Sequence, residues 1–94
     1  MGALSGKTAI VTGSSRGVGA STAKLLAAEG AAVVINYRAK APRANKVVKA
    51  IEEAGGKAVA VQADLTEQEG QQALVEAALG NFGSLDLLVL NASG

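Results

Sequence analysis

Short apolar runs alternate along the chain with longer stretches whose apolar positions recur at helical spacing. Thr8 to Thr12 is a brief apolar run that predicts a buried strand. Gly17 to Glu29 carries Val18, Leu25, Leu26 and several alanines at helical period, and Gly30 supplies a stop. Ala32 to Asn36 predicts a second buried strand. Pro42 suits the first turn of a second helix, with Val47, Val48, Ile51 and Ala54 on one face and Gly55-Gly56 at its end. Ala58 to Gln62 predicts a third strand. Thr66, followed three residues later by Glu69, reads as a capping box that opens a third helix. This helix runs through Leu74, Val75, Ala78 and Leu79, closed by Gly80 and Gly83, and Asp86 to Asn91 predicts a fourth strand. Strands that are apolar throughout, alternating with helices, imply an α/β fold with a parallel sheet covered on both faces.

Composition narrows the classes of function. The 94 residues suffice for one domain and not for two. Apolar residues make up 49% of the chain and the mean hydropathy is +0.28, enough to bury a core. A net charge of +1 gives no field that would draw the chain to nucleic acid or to a membrane surface. There is no Cys and no His, which removes disulfides, thiolate metal sites and the usual general base. The start "MGALSGK" lacks the apolar core of a signal peptide, and no run approaches the roughly 20 residues of a membrane span. A cytoplasmic location, with neither nucleic-acid nor membrane partners, is the expectation.

The candidate chemistry lies in "TGSSRGVG", Thr12 to Gly19, directly after the first strand. Open parallel sheets bind ligands beyond the carboxyl ends of their strands. A helix that begins in this turn offers free N–H groups and a positive dipole end, and glycines let the backbone approach a phosphate closely. The strict G-x-G-x-x-G dinucleotide fingerprint is not met, because the pattern is T-G-x-x-x-G-x-G. A tight strand-to-helix turn with glycines for packing alone is the other reading.

T-G-x-x-x-G-x-G on a first βα turn resembles the short-chain dehydrogenase/reductases. So do "ADL" at Ala63 to Leu65 after the third strand and "GSLDLLVLNAS" from Gly83 to Ser93. The overall wording is similar to the 3-oxoacyl-carrier-protein reductases and related bacterial oxidoreductases. The resemblance implies a Rossmann-like three-layer αβα fold with strand order 3-2-1-4, in which residues 1–94 form the amino-terminal part of one NAD(P)-binding domain, truncated after the fourth strand. It implies that Gly13, Ser15, Arg16, Gly17 and Val18 line the pyrophosphate and adenosine ribose. Asp64 would accept from the adenine amino group, the Leu65 backbone would lie on the ring, and Asn91 and Ala92 would pass under the adenosine side. Asp64 has the alternative of ordering the turn before the third helix, and Asn91 that of tying strands together. The family's N-N-A-G departs here to Leu90-Asn91-Ala92-Ser93, so Leu90 replaces the first Asn and Ser93 the Gly.

An NAD site carries an acid about 20 residues past the fingerprint, at the end of the second strand. Asn36 and Tyr37 occupy that window, followed by Arg38, with no Asp or Glu near. Arg16 and Arg38 would converge on a 2′-phosphate, since guanidinium offers phosphate a planar fork of donors. In the family this combination marks NADP over NAD; the alternative is two solvated arginines.

The family's reaction is hydride transfer between nicotinamide and a carbonyl or alcohol carbon. The resemblance assigns the proton transfer to a Tyr four residues before a Lys, with a Ser upstream, all after the fourth strand. The single tyrosine, Tyr37, is followed by Lys40 three residues on, in the adenosine half, and so does not match. The expectation is therefore the NADP(H)-binding portion of an oxidoreductase that is inactive as 94 residues and is a homo-oligomer when full length. The alternative is a non-catalytic nucleotide-binding or sensor module. The fourth strand would lie at a sheet edge, open to unwanted pairing.

Overall fold

The computed structural model describes residues 2–14, 17–39 and 41–90. Four strands and three helices alternate: β1 Thr8–Val11, α1 Gly17–Ala28, β2 Ala32–Tyr37, α2 Ala41–Glu53, β3 Lys57–Gln62, α3 Gln68–Phe82 and β4 Leu87–Val89. All pairings are parallel and the strand order is β3-β2-β1-β4. The register sets Ile10 opposite both Val34 and Leu88, so the apolar runs lie side by side across the sheet.

The two central strands carry the buried apolar runs Ala9-Ile10-Val11 and Val33-Val34-Ile35 because helices cover both faces. Val11, Val33 and Ile35 point into a core closed by α1 and α2, with Ala23, Ala44, Val47 and Ile51. Ile10 and Val34 point the other way, onto Leu74 and Ala78 of α3. Each such strand side chain contributes about 1.5–3 kcal/mol by leaving water. Among the described residues no helix is long and apolar enough to cross a membrane.

Three local expectations are corrected. α1 packs on the sheet through the small residues Gly19, Ala20 and Ala23, while Val18 and Leu25 are 73% and 68% exposed. Small side chains let the helix backbone approach β1 and β2, which turns the bulkier residues outward. The capping box at α3 does not form. Glu67, not Thr66, is the N-cap residue and makes no side-chain cap bond, while the Thr66 hydroxyl donates to Asp64 Oδ1 instead. β4 is three residues long, shorter than the predicted Asp86 to Asn91; Asp86 precedes it, and Asn91 lies outside the described residues.

Candidate nucleotide site

In a parallel sheet every strand ends at the same edge, and the described candidate residues lie along it. β1 runs into Thr12, Gly13 and Ser14. Thr12 is anchored to β4, its N–H donating to the Val89 carbonyl at 3.0 Å. Gly13 and Gly17 have φ of 59° and 61°, a left-handed region that side chains with a Cβ rarely enter. A Cβ built at Gly17 meets nothing within 4 Å, so the turn opens there onto free space at the start of α1. Val18, exposed, borders it. Ser15 and Arg16 lie outside the described residues, as do Asn91, Ala92 and Ser93.

The turn is tied to the end of β2. Ser14 is fully buried; its hydroxyl donates to the Val11 carbonyl at 2.6 Å and accepts the Asn36 N–H at 2.9 Å. The Ser14 N–H donates to the Asn36 carbonyl at 3.2 Å. The Asn36 side chain accepts from the Gly13 N–H at 3.0 Å and donates to the Ala63 carbonyl at 3.2 Å. Sequence reading placed Asn36 and Tyr37 together in the window of the NAD-type acid. The structure separates them: Asn36 is 4% exposed and faces inward, whereas Tyr37 is half-buried and Arg38 exposed at the rim. The Arg38 carbonyl accepts from Gln62 Nε2 at 3.1 Å, which fixes its backbone beside β3.

β3 exits into Ala63, Asp64 and Leu65. Asp64 Oδ1 accepts from both the Thr66 N–H, at 2.9 Å, and the Thr66 hydroxyl, at 2.7 Å. The aspartate therefore orders the turn before α3 and still has Oδ2 for a further donor. The Thr66 hydroxyl, then the Thr66 N–H, hold the Asp64 carboxyl below the usual carboxylate range, and the Arg38 charge lowers it further. The Leu65 carbonyl accepts from Gln71 Nε2 at 2.8 Å, and its side chain packs on the α3 core.

Two contributors escaped the sequence reading. Asn36, noted there for the acid it is not, links the glycine turn to the Ala63–Leu65 turn. Gly70, in the first turn of α3, lies so close to the Asp64 carbonyl that an added Cβ would overlap it. A glycine inside a helix, where it costs about 1 kcal/mol against alanine, was the available signal.

The arrangement suits a bound dinucleotide diphosphate. An open glycine cradle at a helix start, an acid acceptor two strands away and an exposed guanidinium between them share one rim. The family model for the short chain dehydrogenases matches residues 7–94. The chain belongs to the short-chain dehydrogenase family. An uncharacterized oxidoreductase of Methylorubrum extorquens is 54% identical over 98% of this chain and 37% of its own length. A dehydrogenase/reductase from Sinorhizobium meliloti superposes with a TM-score of 0.91 at 50% identity, over 95% of this chain and 35% of that one. A short chain dehydrogenase from Burkholderia cenocepacia, in complex with NADP, has a TM-score of 0.86 and 48% identity over 90% of this chain and 35% of that one. The chain thus spans about a third of the length of the curated relatives it matches.

Proposed function

We propose that this chain is the amino-terminal, NADP(H)-binding part of one domain of an oxidoreductase that moves hydride between nicotinamide and a small carbonyl or alcohol substrate. The observation that carries the reading is the rim at the end of β2, where Arg38 stands exposed and its charge reaches Asp64, with no acid at position 36 or 37. Gly13, Ser15, Gly17 and Val18 would receive the pyrophosphate, and Arg16 and Arg38 the 2′-phosphate. Asp64 Oδ2 and Leu65 would hold the adenine, with Asn91 and Ala92 beneath the adenosine. When bound, the cofactor would supply the hydride. The residues of this chain would bind and orient its adenosine half, Arg38 through a charge-assisted contact to phosphate. The NADP complex of the Burkholderia cenocepacia relative supports the cofactor class.

Calorimetric titration of the protein with NADP+ and with NAD+ tests this. Tighter binding of NADP+, by about tenfold or more for one charge-assisted phosphate contact, is expected. Equal affinities would end the NADP assignment, and binding of neither would end the cofactor reading.

A further inference from the structure

We infer that Asn36 is a positioning residue, whose side-chain amide sets the spacing between the turn that would receive the pyrophosphate and the turn that would receive the adenine. The inference rests on the nucleotide-binding reading above.

Three segments meet at this side chain. Gly13 leads the glycine turn, Asn36 is near the end of β2, and Ala63 immediately precedes Asp64. The amide oxygen takes the Gly13 N–H and the amide nitrogen gives to the Ala63 carbonyl. An N–H on one side and a carbonyl on the other admit only one orientation of the amide, and no other uncharged side chain of this length supplies both an acceptor and a donor. The Asn36 backbone is held from both sides by Ser14, so the amide has little freedom to drift. Asn36 is 4% exposed, and its bond to the Ala63 carbonyl is buried away from water. Gly13 carries φ of 59° and has no side chain of its own, so the bond from its N–H to the Asn36 amide restrains the turn at a point where a side chain cannot.

A ligand that touches both turns feels that distance, and a ligand that touches one does not. This separates positioning from general loosening. Asn36→Ser shortens the side chain so that it no longer spans Gly13 and Ala63. ADP, which carries both a diphosphate and an adenine, should bind about tenfold more weakly, while inorganic pyrophosphate and adenosine should each change less than about twofold. Asn36→Asp keeps the length, replaces the donor with an oxygen facing the Ala63 carbonyl, and should weaken NAD+ and NADP+ alike rather than shift preference. Tyr37→Asp, at the rim, should shift it. Amide hydrogen exchange in the ligand-free wild type is independent of any variant, and slow exchange at Gly13 is expected.

The inference is overturned if ADP affinity is unchanged in Asn36→Ser, or if ADP, pyrophosphate and adenosine all weaken by the same factor. Rapid exchange of the Gly13 amide overturns it whether or not the variants fold. Failure of ADP to bind the wild type is a different result: it removes the nucleotide reading and this inference with it.

Discussion

Replacing Arg38 by alanine removes an exposed cation from the rim where a 2′-phosphate would sit. Arg38 is exposed, its backbone carbonyl is fixed by Gln62, and its charge is felt at Asp64. Charge-assisted hydrogen bonds contribute about 1.5–3 kcal/mol, and exposure places this contact at the lower end. About 1.5 kcal/mol corresponds to roughly tenfold in affinity for NADP+. NAD+ lacks the phosphate and should be nearly unaffected, because the Thr66 bonds keep Asp64 ionised at neutral pH without Arg38. The tenfold effect should shrink as salt is raised, since an exposed pair is screened over a Debye length of about 10 Å at 0.1 M. Tyr37→Asp should act in the opposite sense on NAD+, by offering the ribose hydroxyls an acceptor while repelling a phosphate. Calorimetric titration of wild type and both variants with each cofactor, at two salt concentrations, reads these effects. Equal weakening of NAD+ and NADP+ by Arg38→Ala would make the arginine a general surface charge with no 2′-phosphate contact.

Ser14→Ala should destabilise by about 2 kcal/mol, or roughly 10 °C in Tm, because it strands the buried Asn36 N–H; a loss below about 0.5 kcal/mol in urea titration would argue against the bond. The 94 residues should self-associate through the β4 edge, where Leu88 and Leu90 are 58% and 76% exposed beside an apolar groove of about 450 Å³, and Leu88→Lys should reduce this; light scattering showing a stable micromolar monomer would count against it. The same 94 residues should reduce no carbonyl with NADPH, and turnover that vanished with Tyr37→Phe would contradict this. Asp64 and Asp86 both have lowered pKa values, Asp86 chiefly through the Thr8 N–H, then Ser84, with Lys7 adding its charge. Their stabilisation is therefore complete above the unfolded value of about 3.9 and lost as pH falls through the lower folded values. Asp86→Asn should flatten that acid limb in urea midpoints measured from pH 2 to 6.

The fold was legible because a buried parallel strand leaves a continuous apolar run, as β1 and β2 do, and the edge strand β3 carries a similar run, Ala58 to Val61, though it is only partly buried. The crossover of α3 to the second face follows from Ile10 and Val34, whose side chains alternate with Val11 and Val33 and need their own cover. Exposure was less legible on α1, since Val18 and Leu25 match the helical period as well as Ala20 and Ala23 do, and only the close approach to the sheet decides which stripe turns inward. The Thr66-Glu69 spacing suggested a cap, but Asp64 competes for the Thr66 hydroxyl from two residues away. Of the candidate site, the glycine turn stood out from its spacing after a strand, whereas Asp64 entered only through the family resemblance. Asn36 was not legible, since its value lies in joining residues 23 positions before it and 27 after it, a distance no local pattern encodes.

One rim of the sheet is proposed to bind the adenosine half of NADP(H). A two-dimensional amide NMR titration of the labelled protein with NADP+ tests it most directly. Saturable shifts concentrated at Gly13, Gly17, Val18, Arg38, Asp64 and Leu65 are expected, with Arg38 silent when NAD+ is the ligand. Shifts confined to the opposite end of the sheet, around Lys7, Ala32 and Lys57, or no saturable shifts with either cofactor, would contradict it.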